Sequence, residues 1–319
     1  MTVSTSETAE LWRYPLVVLP GFMSDSRVWD PLVRVLSRYL PVMVAPVRGA
    51  ERVEDVAEEL LCQLPIRFSV LGADLGGSVA MALLQKAPER VVGIGLIGAS
   101  PLPETPAQAA EREPWIIQAR TGRLRAVMQE VCPITSLAPG HMRGQIISDL
   151  ADMAEDLGPE VFVEQSRMMQ RRCDMQAVLR RAVQPSLLIS GVHDTIVPVK
   201  RQLFTAELMR HARLELIEDA GHMPLLEQPE QVTQILFNWI MQGAVSKKDL
   251  DVGASPDGGS PSNQPAAGKP PRRRFSRPMF QMVGEMQEDE SGLGEDAVPA
   301  RFASIRRDRG TQGPFLRTG

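Results

Sequence analysis

The stretch Val70-Leu71-Gly72-Ala73-Asp74-Leu75-Gly76-Gly77-Ser78 decides the fold. An apolar run, Phe68 to Leu71, reads as a buried strand, and Ser78 to Lys86 reads as a helix. Gly-x-Asp-x-Gly-Gly lies between them. Glycine lets the chain turn sharply from strand to helix without a Cβ clash, which thrusts the middle residue out at the strand's carboxyl end. This is the layout of a nucleophile elbow, where the exposed residue stands beside the unpaired N–H groups of a helix start. Serine is the usual occupant. Here the occupant is Asp74, and two readings of it stay open at this point: a reactive carboxylate, or an aspartate that only caps the helix.

Working outward, the segments on both sides repeat the same unit. Leu16 to Leu19 reads as a strand closed by Pro20-Gly21, and a helix follows with Val28, Trp29, Leu32, Val35, Leu36 and Tyr39 on one face. Val42 to Ala45 reads as a strand, then a helix from Val53 to Leu64 with acids in its first turn. Val91 to Ile97 is another apolar strand. Apolar strands alternating with helices, without hairpin signals, predict an α/β fold with a mostly parallel, doubly wound sheet covered on both faces.

Residues 101–183 change character. Prolines separate helical pieces near 107–130, 141–157, 159–172 and 174–182, and no strand is expected there. This predicts a helical cap inserted into a core of residues 14–100 and 184–243, after a loose lead-in of residues 1–13. The core resumes with a strand at Ser186 to Ser190, a helix near 199–210, a strand from Arg213 to Ile217 and a last helix from Pro229 to Met241. Residues 244–319 are rich in Gly, Pro, Ser and charge, which predicts a disordered C-terminal tail. Its basic run Arg272-Arg273-Arg274-Phe275-Ser276-Arg277 and the nearby Met279, Phe280 and Met282 make residues 272–283 a candidate docking segment for a protein partner, against the plainer reading of a solubilising linker.

Composition narrows the function. At 319 residues with 43% hydrophobic side chains the chain can bury a large core, and its net charge of −4 argues against bulk nucleic-acid binding. No apolar run approaches the roughly 20 residues that span a bilayer, and Met1 to Glu10 lacks the layout of a signal peptide. The three cysteines, Cys62, Cys132 and Cys173, are far apart and read as reduced thiols, so a cytoplasmic location is expected. No set of His, Asp or Cys has metal-ligand spacing, so neither metal nor cofactor is expected.

Three residues fall in loops after strands in the order nucleophile, acid, histidine: Asp74, Asp194 and His222. With them stand Leu19-Pro20-Gly21-Phe22, Ser190-Gly191-Val192-His193-Asp194-Thr195-Ile196-Val197-Pro198 and Ala220-Gly221-His222-Met223-Pro224-Leu225-Leu226-Glu227-Gln228-Pro229. In these four segments, in this order, residues 14–243 resemble the α/β-hydrolase superfamily, and most closely its short-cap bacterial members with the serine replaced. The resemblance implies that Asp74 is the nucleophile, His222 the base and Asp194 the acid that orients it, with the backbone N–H groups of Phe22 and Leu75 as an oxyanion hole. It also implies that the opening antiparallel strands of the family are reduced, since few residues precede Leu16. His193 is expected to point away from the site, and His141 and His211 to sit on helical stretches without a role.

Aspartate changes the chemistry that the resemblance implies. A carboxylate suits displacement at a saturated carbon, such as one bearing a halide or an epoxide oxygen, and leaves an alkyl ester of Asp74. Dehalogenases and epoxide hydrolases of the superfamily share that logic, yet this chain departs from them. Leu75 stands where many carry tryptophan, no arginine occurs at Leu75 or Gly77, and Tyr14 and Tyr39 both lie outside the cap. Trp115 is the one cap residue singled out as an N–H donor to a leaving group. Two functions therefore remain open: a hydrolase acting on a small organic substrate, or a scaffold without catalysis that binds through pocket, cap or tail.

Overall fold

The computed structural model of the chain describes residues 10–242. Six strands form one sheet: β1 (Leu16–Leu19), β2 (Val42–Val44), β3 (Phe68–Ala73), β4 (Val91–Ile97), β5 (Ser186–Gly191) and β6 (Ala212–Ile217). Their order is β2-β1-β3-β4-β5-β6, and every pairing is parallel. The helices are α1 (Asp30–Leu36), α2 (Val53–Gln63), α3 (Asp74–Lys86), α4 (Pro106–Arg120), α5 (Leu124–Val131), α6 (Arg143–Arg171), α7 (Gln176–Arg181), α8 (Val199–Leu208), α9 (Pro224–Glu227) and α10 (Pro229–Ile240).

The period of two along β1 shows how both faces are covered. Val17 and Leu19 join one core cluster with Val56 and Leu60 of α2 and Val79 and Leu83 of α3. Leu16 and Val18 join the other, with Leu32 and Leu36 of α1 and Val232, Leu236 and Ile240 of α10. Alternate side chains of one strand thus anchor opposite layers, which is the doubly wound arrangement expected from the sequence. The edge strands are less enclosed: Met43 and Val44 of β2 and Leu216 of β6 are exposed.

All the chain between β4 and β5 is helical or irregular. Its helices α4, α5 and α6 pack around a separate cluster of Ile116, Val127, Met128, Ala154 and Phe162, which also takes in Met23 from the loop after β1. One detail differs from the expected pieces. The stretch expected as one helix near 107–130 is broken at Thr121-Gly122, where Gly122 has φ +82. The two helices expected on either side of Pro159 are present: Gly158 (φ 86, ψ 167) interrupts α6 with a conformation that is not helical, and Pro159 starts the second piece. His141 and His211 lie in turns rather than on helices. The lead-in before residue 10, the tail assignment and the docking segment at 272–283 lie outside the described residues.

The sheet order reverses between β1 and β3, since the chain runs from β1 outward to β2 and then from β3 in the other direction. Ligands of open parallel sheets gather at such a switch point, outside the strands' carboxyl ends. The loop after β1, carrying Phe22, and the start of α3, carrying Asp74, meet there.

Candidate active site

The elbow closes so tightly that side chains are excluded from it. A Cβ on Gly72 would stand 2.3 Å from the carbonyl oxygen of Gly76, and one on Gly76 would stand 2.3 Å from that of Leu19. Glycine at both positions lets the start of α3 touch the ends of β3 and β1. Between them Asp74 takes φ +42, one of two non-glycine residues with a left-handed backbone among the described residues; the other is Met23, φ +47, on the facing loop. Such conformations cost on the order of 1–3 kcal/mol each and gather at sites where side chains must be held at unusual angles.

Asp74 is half-buried, and its Oδ2 accepts a hydrogen bond from the Phe22 N–H at 3.1 Å. The N-cap of α3 is Ala73, without a side-chain cap bond, so Asp74 does not act as the capping residue. Leu75 follows it, buried in the first helical turn, where N–H groups have no intrahelical acceptor. The loop carrying Phe22 is itself fixed: Met23 donates its N–H to Gln165 Oε1 at 2.7 Å, and Gln165 Nε2 donates to the Val47 carbonyl at 2.7 Å. One buried glutamine on α6 thus ties the loop after β1 to the chain beyond β2.

Asp194 and His222 meet across the loops after β5 and β6. His222 Nδ1 lies 3.0 Å from Asp194 Oδ2, and both residues are buried. The other oxygen of Asp194 accepts the N–H groups of Ile196 and Val197 at 2.8 and 2.9 Å, which fixes the carboxylate's direction. Burial opposes a charge on His222, but the Asp194 carboxylate, by charge and by hydrogen bond, together with Asp74 and Glu227, outweighs it and raises the imidazole to about 9. His193 is exposed and stands outside the site, its N–H bonded to the Ala220 carbonyl.

A cavity of about 200 Å³ opens between the sheet and the helical segment, and both Asp74 and His222 line it. Trp115 lines it too, but its indole N–H donates to Glu130 at 2.8 Å, so the donor expected to face a leaving group is already committed. Cys132 is buried on the same wall, where burial pushes its thiol up to about 11 and keeps it protonated. No group of three His, Cys, Asp or Glu among the described residues is arranged to hold a metal ion.

Four contributors carried no signal strong enough to find in the sequence. Glu227 accepts the N–H groups of Gly221 and Met223, and of Ala138 at 2.6 Å, so it shapes the turn that presents His222. It belongs to a quoted segment, yet nothing in its spacing gave it a task. Gln165 lies deep in a long helix among other polar residues. Arg112 and Arg172 also line the cavity, and in a chain with 35 Lys and Arg neither stands out.

The comparisons agree with this architecture. The chain is 29% identical over 237 residues to a pimeloyl-[acyl-carrier protein] methyl ester esterase of Nitrosomonas europaea, a match covering 68% of this chain and 91% of that protein. A protein of the same name from Aromatoleum aromaticum is 29% identical over 72% of this chain and 99% of its own length. Among solved structures, the malate-bound thermophilic esterase of Thermogutta terrifontis superposes with a TM-score of 0.66 at 25% identity, covering 71% of this chain and 89% of that one. The enol-lactonase of Burkholderia xenovorans shares the fold, with a TM-score of 0.63 at 19% identity and coverage of 72% and 92%. The family model described as alpha/beta hydrolase family matches residues 16–235, which contain all six strands, the elbow and the His222 loop, and the chain therefore belongs to the alpha/beta hydrolase family.

Proposed function

We propose that the chain is a hydrolase of small organic molecules that works through Asp74, with His222 and Asp194 completing the site. The observation that carries this reading is the way Asp74 is held. One carboxylate oxygen is fixed by the Phe22 N–H, and His222 stands on the same cavity. A carboxylate pinned at one oxygen by an oxyanion-hole donor leaves the other for attack.

In the first step an Asp74 oxygen forms a bond to a saturated substrate carbon, and the bond from that carbon to the leaving group breaks with its electron pair. The product is an alkyl ester of Asp74. In the second step a water loses a proton to His222 and attacks the Asp74 carbonyl carbon. Negative charge develops on the oxygen facing the Phe22 and Leu75 N–H groups. Collapse releases the substrate as an alcohol, protonated from His222, and leaves Asp74 as the acid, whose proton passes to solvent to restore the carboxylate; the sum is replacement of the leaving group by hydroxyl with release of one proton. The raised pKa of His222 fits this order. Asp74 is one of the charges that hold the imidazole protonated, so esterification removes that charge and frees His222 to act as base.

The esterase names of the relatives support a hydrolase and a small-molecule substrate, and leave the reaction on this elbow to be measured. The test uses His222→Gln, which retains Asp74 but lacks the base. Exposed to haloalkanes, haloacids and epoxides, it should accumulate a covalent adduct on the peptide holding Asp74, read by mass spectrometry. Hydrolysis by the parent protein without any adduct on Asp74 in the variant would rule the ester mechanism out.

One observation favours the second reading, a binding scaffold without turnover. The Trp115 N–H is occupied by Glu130, and the tyrosines stand outside the cavity, so the leaving-group donors of the related dehalogenases and epoxide hydrolases have no counterpart at these residues. Unreactive Asp74 in both the parent and the variant, with a ligand still bound in the cavity, is the outcome that reading expects.

A further inference from the structure

Two guanidinium groups on the cavity wall have nitrogens without a hydrogen-bond partner among the described residues. Arg112, on α4, is buried and paired with Glu104, its Nε and Nη2 donating to that carboxylate at 2.6–2.9 Å. Its Nη1 is enclosed and has no partner. Arg172, just beyond α6, has an enclosed Nε that is also without a partner, and it makes no ion pair among the described residues. Both line the same cavity as Asp74.

An unpaired guanidinium in such a place is costly. Arginine does not give up its proton in proteins, and an enclosed donor without an acceptor forfeits on the order of 1–3 kcal/mol. The surroundings of Arg172 deepen the problem rather than relieve it. Burial pulls its pKa below the ordinary guanidinium value; Asp74 and Glu104 pull it back, and Arg112 and Arg201 push it down again. Glu104 is already committed to Arg112, and Asp74 to the Phe22 N–H. Arg201 is held at 3.3 Å by the Ser100 hydroxyl. Arg172 is therefore a cation without an anion in contact, on the same cavity as Asp74 and near enough to feel its charge.

Resting on the reading of Asp74 as nucleophile, we propose that Arg172, beside the paired Arg112, is a carboxylate-binding subsite, and that the substrate is a small organic acid. Its carboxylate lies on Arg172 and its electrophilic carbon lies on the Asp74 side. A planar guanidinium matches the two oxygens of a carboxylate. The paired Arg112 has a second use: its guanidinium stacks over the rings of Phe22, at 5.1 Å, and Trp115, at 6.0 Å, which keeps Nη1 aimed in one direction. Specificity then follows by the cost of leaving these donors unpaired, so a neutral analogue is rejected.

The test is calorimetric titration of the full chain with unreactive butanoic and hexanoic acids at pH 7.5, against the amides of the same lengths. The acids should bind at least tenfold more tightly than the amides. Arg172→Gln should lower acid affinity at least tenfold and leave amide affinity unchanged, and Arg172→Lys should lie between. Asp74→Asn should bind the acids as tightly as the parent or more so, because a like charge is gone. Equal affinity for acids and amides overturns the subsite, and that comparison needs no variant to fold. Acid binding that persists unchanged in folded Arg172→Gln overturns it as well. Failure here is separable from failure of the ester mechanism. Selective acid binding without an Asp74 adduct keeps the subsite and removes the nucleophile, whereas adducts from neutral haloalkanes without acid selectivity do the reverse.

Discussion

Aspartate at the elbow alters its neighbours even before any substrate arrives. Asp74 adds a negative charge facing an imidazole that Asp194 already holds, and the pair of carboxylates keeps His222 protonated to about 9. A folded-state pKa above the unfolded value of about 6.5 means the folded state binds the extra proton more tightly. The stabilisation is fully present below about pH 6.5 and is lost as pH rises through about 9. The thermal midpoint of the free protein should therefore fall across that window. In Asp74→Asn the fall should be smaller and end at lower pH, because one raising charge has been removed, while Asp194→Asn should nearly abolish it; following the midpoint by circular dichroism against pH checks both. The same substitution isolates the chemistry. Asp74→Asn should lower turnover at least a hundredfold on any substrate of the parent. Asp74→Ser should gain hydrolysis of small aryl esters at least tenfold above the parent, since the Phe22 N–H is then free to take a developing oxyanion. A folded serine variant with no gain would show that His222 is out of reach of a shorter nucleophile.

Among the elements, the loops after strands decide whether these side chains meet, and Glu227 does the most to shape one of them. It gathers three backbone N–H groups from two separate segments, Ala138 on one and Gly221 and Met223 on the other. A bond from an N–H to a carboxylate is worth about 1.5–3 kcal/mol, and unpaired buried donors cost a similar amount. Glu227→Ala should therefore destabilise the protein by about 3 kcal/mol in urea unfolding. It should also reduce activity, because the turn holding His222 would slacken; full activity in a destabilised variant would show that the turn is set by its other contacts. The sequence could not announce this. Apolar runs such as Val91–Ile97 have a period and flanking prolines, so strands and their order along the chain were legible, as were Asp74, Asp194 and His222 from the loops that follow them. A glutamate that reaches back to main chain 89 residues earlier has no periodicity, and neither has a glutamine that bridges two loops. Helix breaks were half legible: Pro159 marks the interruption of α6 at Gly158, whereas no proline marks the break between α4 and α5 at Thr121-Gly122.

For the molecule as a whole, the question is how much chain the site needs. Both sheet layers are closed by described residues: α2 and α3 cover one face, and α1 and α10 cover the other. The helical segment has its own core, and it is joined to the sheet by Met23 and by the Phe22–Phe162 ring contact at 5.3 Å. Every residue assigned a part in the cavity lies before residue 242, as does the whole family match to residue 235. Unfolding such a unit exposes both layers together, so cooperativity resides in residues 10–242. A chain ending after Ser255 retains every described residue. Its thermal midpoint should match that of the full protein to within about 2 °C, less than a 1 kcal/mol change produces in a domain of this size. Its acid binding and any adduct on Asp74 should be unchanged as well. A lower midpoint or a lost adduct would mean that residues 256–319 contribute to the site, and the partner assigned to residues 272–283 would then have to be sought within the same chain.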